Sequence, residues 1–207
     1  MIFMITQKSI PKEISDDQIE GNIDAVKKIM KELHLNGNAV FLSKSDVLDE
    51  ERVLIPPNKS GIIKIPNIDN DRVFLTGPDR KNLGISIPPS GLKLLNELEK
   101  DENFENTEME NIEEKLQKFV GINLLSSVSF KKRGDGWELE LDKPTFCPND
   151  KNLCRQYPCP PCSAVITAIT RASKLSDKKL WINNTTHNGK KIKFHLNFIN
   201  MKTKQGE

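Results

Sequence analysis

CPNDKNLCRQYPCPPCSAVITAITRASK, residues 147–174, joins two readings that organise the whole chain. Its first part holds all four cysteines of the 207-residue protein: Cys147, Cys154, Cys159 and Cys162. Cysteines used only for packing are scattered through core segments; four in sixteen positions point to one site. Pro148, Pro158, Pro160 and Pro161 break this part up, and with Pro144 they predict a loop free of regular structure. Its second part, SAVITAITRASK, places Val165, Ile166, Ile169 and Ala172 among small residues, which predicts a well-buried helix with Cys162 at its N-terminus.

Outward from this stretch the pattern is symmetrical in kind. Before it, Val128 and Phe130, then Trp137, Leu139 and Leu141, alternate with polar residues around Gly134-Asp135-Gly136, predicting a β-hairpin with one buried face. After it, Leu180 and Ile182, then Ile192, Phe194, Leu196 and Phe198, alternate around Asn188-Gly189, a strong hairpin signal. Helix, hairpin, cysteine loop, helix, hairpin predicts an α+β fold, an antiparallel sheet built from hairpins with helices packed on one face.

Upstream, Ile19, Ile23, Val26, Met30 and Leu33 form a helical stripe, with a start signal at Ser15-Asp16-Asp17-Gln18. A second stripe, Met109, Ile112, Leu116, Phe119 and Val120, follows a capping-box pattern at Thr107 and Glu110. Between them, GLKLLNELEK predicts a short helix with Leu94, Leu95 and Leu98 inward. Strands are expected at 1–5, 39–42, 62–65, 72–76 and 82–87, with a broken region of loop or short extended pieces over 43–61. The chain divides near residue 88, into an N-terminal α/β segment (1–88) whose strands can extend the same sheet and a C-terminal α+β domain (89–200) carrying the cysteines.

Composition excludes some classes. Thirty-one basic against 29 acidic residues leave a net charge of +2, which argues against a nucleic-acid protein driven by bulk electrostatics. No apolar run approaches the roughly 18 residues of a bilayer span. No basic, cleavable leader opens the chain, so a cytoplasmic location is expected. In a reducing compartment, clustered cysteines serve as metal ligands or redox thiols more often than as disulfides.

The spacing C-x6-C-x4-C-x2-C supplies four soft ligands, Cys147, Cys154, Cys159 and Cys162, for either a [4Fe–4S] cluster or Zn2+. It matches neither the common ferredoxin spacings nor the paired C-x2-C arrangement of zinc ribbons. Lys143, Lys151 and Arg155 would offset the thiolate charge. His34, His187 and His195 read as surface residues at a helix end, a turn and a polar strand face. Sequence motifs for a serine hydrolase, a zinc protease or a dinucleotide site are absent, so no catalytic residue is assigned.

Two quoted pieces, FVGINLLSSVSFKKRGDGWELELDKP and PCPPCSAVITAITRASKLSDKKLWINNTTHNGKKIKFHLNFI, together resemble the 4-vinyl-reductase-type small-molecule-binding domain over residues 108–199. The resemblance implies a ligand pocket between helix and sheet. It departs from that family in the last hairpin, where Asn183 to Asn188 replace acidic and cysteine residues.

Three functions are therefore in play. One is a non-catalytic metal-binding protein that acts in assembly, electron transfer or regulation, bound to other proteins. Another is a sensor module for a small apolar ligand, with structural cysteines. A third is a thiol enzyme using Cys159 and Cys162 as a C-x-x-C pair, without the βαβ context that motif usually has.

Overall fold

The computed structural model describes residues 12–45, 48–58, 71–76, 83–100, 103–105, 107–148, 150–172 and 178–200. Eight strands among them form one antiparallel sheet: β1 (Val40–Leu42), β2 (Arg52–Ile55), β3 (Phe74–Thr76), β4 (Leu83–Ile87), β5 (Ser127–Arg133), β6 (Gly136–Asp142), β7 (Lys178–Asn188) and β8 (Lys191–Asn200). Their order across the sheet is β3-β4-β2-β1-β7-β8-β6-β5. The strands of 1–88 and those of 89–200 thus meet at the β1–β7 pairing, where Val40 faces Trp181.

The helices are α1 (Lys12–Glu32), α2 (Leu92–Leu98), α3 (Ile112–Gly121), α4 (Lys151–Gln156) and α5 (Pro160–Ala172). Side chains from all five join one core with one face of the sheet, including Ile23, Leu95, Leu116, Cys154 and Ile166. The α+β architecture with helices on one face is the one expected from the hairpin periodicity. The opposite face carries a smaller cluster around Val40, Leu42, Leu48, Leu54 and Leu75.

Both expected hairpins form, the second with a register shift between Ile182 and Asn184. Phe130 pairs with Leu139 and Val128 with Leu141 in one, and Leu180 pairs with Phe198 in the other. Gly134 (φ +56°) and Gly189 (φ +60°) take the left-handed conformations that their turns require. The stripe on α1 buries Ile23 and Met30, with Ile19, Val26 and Leu33 packed at its edge.

Several expectations change. α1 begins at Lys12, so the Ser15 pattern lies inside the helix rather than at its start. The Thr107–Glu110 pattern does not cap α3; Thr107 Oγ1 donates to the Phe104 carbonyl, and α3 starts at Ile112. In α2 it is Leu92, with Leu95 and Leu98, that is buried, and Leu94 is half-buried. The region over 43–61 holds β2, one of the short extended pieces expected there; its four residues are all buried and so show no alternation that would mark its bounds. The cysteine loop contains α4, a six-residue helix that the surrounding prolines leave room for. The strands expected at 1–5 and 62–65 lie outside the described residues.

α5 holds the centre. Eleven of its thirteen residues are buried. Thr167 and Thr170 satisfy their hydroxyls by donating to the Ser163 and Ile166 carbonyls, at 2.7 and 2.8 Å, which lets polar residues sit in a dry interior. At the far end Arg171, nearly buried, binds Glu51 through two nitrogens, at 2.5 and 2.9 Å, and also contacts Glu99. This triad ties α5 to the end of α2 and to the approach to β2.

Candidate metal centre

The cysteines come from three local structures. Cys147 lies in the turn after β6, preceded by Phe146 in the left-handed region (φ +58°). Cys154 is on α4. Cys159 precedes α5, and Cys162 is in its first turn. Each position has a local cause.

Cys159 caps α5. Its carbonyl accepts the first intrahelical bond, from Ser163 N–H at 2.8 Å, and its sulfur accepts the Cys162 N–H. Pro160 and Pro161 then occupy the first helical positions, where a missing N–H costs nothing and the fixed φ favours the helix. Two thiols are thereby set at the positive end of the helix dipole, which favours their ionised form.

α4 is capped by Asp150, which accepts from the backbone N–H groups of Asn152 and Leu153 at 3.0 and 3.1 Å. Burial alone would raise the Asp150 pKa, but the bond from Lys27 of α1 at 2.9 Å, with these N–H groups, holds it below the usual carboxylate range. At the other end of α4, the Arg155 carbonyl accepts Ala39 N–H at 3.0 Å, and Gln156 donates to the Leu35 carbonyl at 2.9 Å. From the turn before α2, Ser90 Oγ donates to the Pro158 carbonyl at 2.6 Å. Gly91 lies so close that a Cβ there would stand 2.2 Å from the Pro160 carbonyl oxygen.

These clamps bring sulfurs together. Those of Cys147, Cys159 and Cys162 all lie within 4.8 Å of one another. The fourth, Cys154, stands outside that trio but is 3.8 Å from Cys147. Cys147 is therefore the hub of the group, and it alone is half-buried while the other three are buried. None of the four is in a disulfide.

Their electrostatics follow from crowding. The Cys147 contact and then burial push the Cys154 thiol far up. Cys159 is raised by Cys147 and by burial, against the lowering effect of its bonds with Cys162. Cys162 is raised by its two thiol neighbours and by burial. Charges this close repel one another, so without a cation the three buried thiols hold their protons more tightly than free ones. A divalent metal reverses this by supplying the charge that ionisation needs.

His187, assigned to a surface turn from sequence, ends β7 close enough for Cys147 to act on it; burial lowers its pKa and the Cys147 charge opposes that shift. His34 and His195 remain a helix-end residue in the left-handed region (φ +52°) and a polar-face residue of β8. Away from the cysteines, an open hollow of about 360 Å³ borders Gly136 on the sheet. Its lining mixes Trp137 and Leu196 with the polar Arg133, Asp135, Asn184 and His195. No helix among the described residues is long and apolar enough to cross a membrane.

Comparison with known proteins finds no family model, curated protein or solved structure that matches this chain.

Proposed function

We infer that this chain is a zinc-thiolate protein, in which one ion held by Cys147, Cys159 and Cys162, with Cys154 as fourth ligand, fixes the turn after β6 and α4 against the start of α5. The observation that carries this reading is the spacing of the sulfurs. Zn–S bonds of about 2.3 Å at tetrahedral angles hold neighbouring sulfurs about 3.8 Å apart. Cys147 and Cys154 are at 3.8 Å, and the trio fits inside 4.8 Å. In a [4Fe–4S] cluster each thiolate binds a different iron, and the sulfurs stand apart across the inorganic core. The close trio suits a single ion better, and Cys154, 3.8 Å from Cys147 but outside the trio, would draw in to complete the shell.

The chemistry of the donors agrees. Thiolates select zinc among the divalent ions that prefer tetrahedral sites, and a closed all-sulfur shell leaves no position for substrate or water. The role supported is structural or regulatory, in the service of contacts with other proteins, rather than catalytic. A C-x-x-C oxidoreductase needs an exposed thiol of low pKa. Cys159 and Cys162 are buried, with raised pKa values.

Metal analysis of protein purified without oxygen tests this. The expected result is one zinc per chain in colourless protein, and a tetrahedral thiolate spectrum on substitution with Co2+. Losing an outer-shell partner of a metal costs about 10–100-fold in affinity; Cys147→Ser, which removes the hub ligand, should cost more. Brown protein containing iron and sulfide would replace zinc with a cluster. Protein that takes up neither metal would end the metal-centre reading.

A further inference from the structure

The four sulfurs differ in their access to solvent and in the stiffness of their supports, and this difference has chemical consequences. Cys147 is half-buried and sits on a turn, while Cys154, Cys159 and Cys162 are buried. Cys159 and Cys162 are held in the rigid first turn of α5 by Pro160-Pro161 and by the bond from Cys162 N–H to the Cys159 sulfur. Cys154 stands on a helix of only six residues, 3.8 Å from Cys147. An oxidant arriving from solvent meets Cys147 first. The sulfur placed to answer is Cys154, since at 3.8 Å from Cys147 a side-chain rotation at the two residues can close the gap, whereas Cys159 and Cys162 are fixed by the start of α5.

We propose that Cys147 is a peroxide-sensitive modification site and Cys154 its resolving partner, so that oxidation links them in a disulfide and expels the metal. The proposal rests on the zinc-thiolate reading for its second half only; the cross-link itself follows from the sulfur geometry. The steps balance. The Cys147 thiolate attacks a peroxide oxygen and breaks the O–O bond, giving a sulfenic acid and hydroxide. The Cys154 sulfur, ionised by the metal or, in its absence, losing its thiol proton to solvent, then attacks that sulfur, forms the S–S bond and displaces a second hydroxide. Two electrons pass from the sulfurs to the peroxide, and both hydroxides take protons from the solvent. Two of four ligands are lost in one event, and Cys159 and Cys162 alone form too weak a site to retain the ion.

The sequence makes the product easy to read. Trypsin does not cut after Lys143, because Pro144 follows it, so Cys147 is carried on residues 134–151 and Cys154 on residues 152–155. Cys159 and Cys162 share residues 156–171. Full-length protein, zinc-loaded in one arm and chelator-stripped in the other, is treated with hydrogen peroxide, alkylated, digested and mapped by mass spectrometry, while released zinc is followed with a colorimetric chelator. The expected product is a cross-link between peptides 134–151 and 152–155 in both arms, with one zinc released per cross-link in the loaded arm. Cys154→Ser should abolish the cross-link and leave Cys147 as a trapped sulfenic acid. An internal Cys159–Cys162 disulfide as the main product, or no disulfide in either arm, would overturn the proposal. Protein that binds no zinc yet forms the 147–154 cross-link would overturn the metal reading and leave the modification site standing.

Discussion

Lys179 and Cys147 illustrate how much a single residue's surroundings alter its chemistry. Lys179 is on β7, on the sheet face opposite the helices and directly across from Ile199. It is only 5% exposed, and among the described residues no acceptor reaches its Nζ. Burial pushes its pKa down to about 7. A depressed lysine pKa means that the unfolded chain binds the proton more tightly than the folded one. Stability therefore rises with pH between about 7 and 10.5, and the full penalty is present below pH 7. Lys179→Met should stabilise the protein by about 2–4 kcal/mol at pH 6, with the gain fading towards pH 10–11. Urea denaturation at several pH values checks this, and a pH-independent difference would show that the amine is solvated. Cys147 gains its role in the same way: nothing in its neighbours Phe146 and Pro148 distinguishes it, and only the folded chain places its sulfur between those of α4 and α5. The identity of four candidate ligands was legible from their clustering. The division into a close trio and a satellite, and the approach of His187, were not, because distances between sulfurs depend on how α4 and α5 pack.

At the scale of elements, the start of α5 is the part most sensitive to its neighbours. Gly91, which begins α2, faces the Pro160 carbonyl and the Ala164 nitrogen, at 2.2 and 2.3 Å from where a Cβ would stand. Those are backbone atoms and cannot swing aside. Gly91→Ala should force α2 from α5, lower stability by about 2–4 kcal/mol and weaken metal binding through Cys159 and Cys162. Gly21, inside α1, has nothing within 4 Å of its Cβ position. Gly21→Ala should stabilise by about 0.5–1 kcal/mol and leave metal affinity unchanged. Thermal denaturation paired with zinc titration distinguishes the two, and equal effects would mean that α2 does not support the site. The amphipathic helices and both hairpins were readable because each has one buried face, and so a period. β2 and α4 were not. β2 is buried along its whole length, and α4 owes its existence to the Asp150 cap and to bonds with residues 35–39, more than 100 positions away in the chain.

For the whole molecule, two devices hold α5 in place, one at each end. At its C-terminal end Arg171 lies between Glu51 and Glu99, whose pKa burial raises despite the guanidinium beside it. Arg171→Ala leaves buried Glu51 and half-buried Glu99 without their counter-charge and should cost about 2–4 kcal/mol; double-mutant cycles with Glu99→Gln would recover part of it. At the N-terminal end stand the thiols of the candidate metal centre, which would hold α5 through the proposed ion. Its removal by a chelator should lower the melting temperature, since an ion that binds only the folded chain stabilises it by mass action. Because the metal must displace protons from thiols of raised pKa, its affinity should increase with pH across the neutral range, by up to about tenfold per pH unit for each thiol ionised. Isothermal titration at several pH values measures this directly, and a flat profile would mean that the thiols are already ionised. The amino-acid order alone determined the periodic elements, the α+β class and the four clustered cysteines as candidate ligands, since periodicity and residue chemistry are local properties. The pairing of β1 with β7, the burial of α5 from both ends and the convergence of the sulfurs were decided only in three dimensions, because each depends on contacts between segments whose separation along the chain leaves no periodic trace.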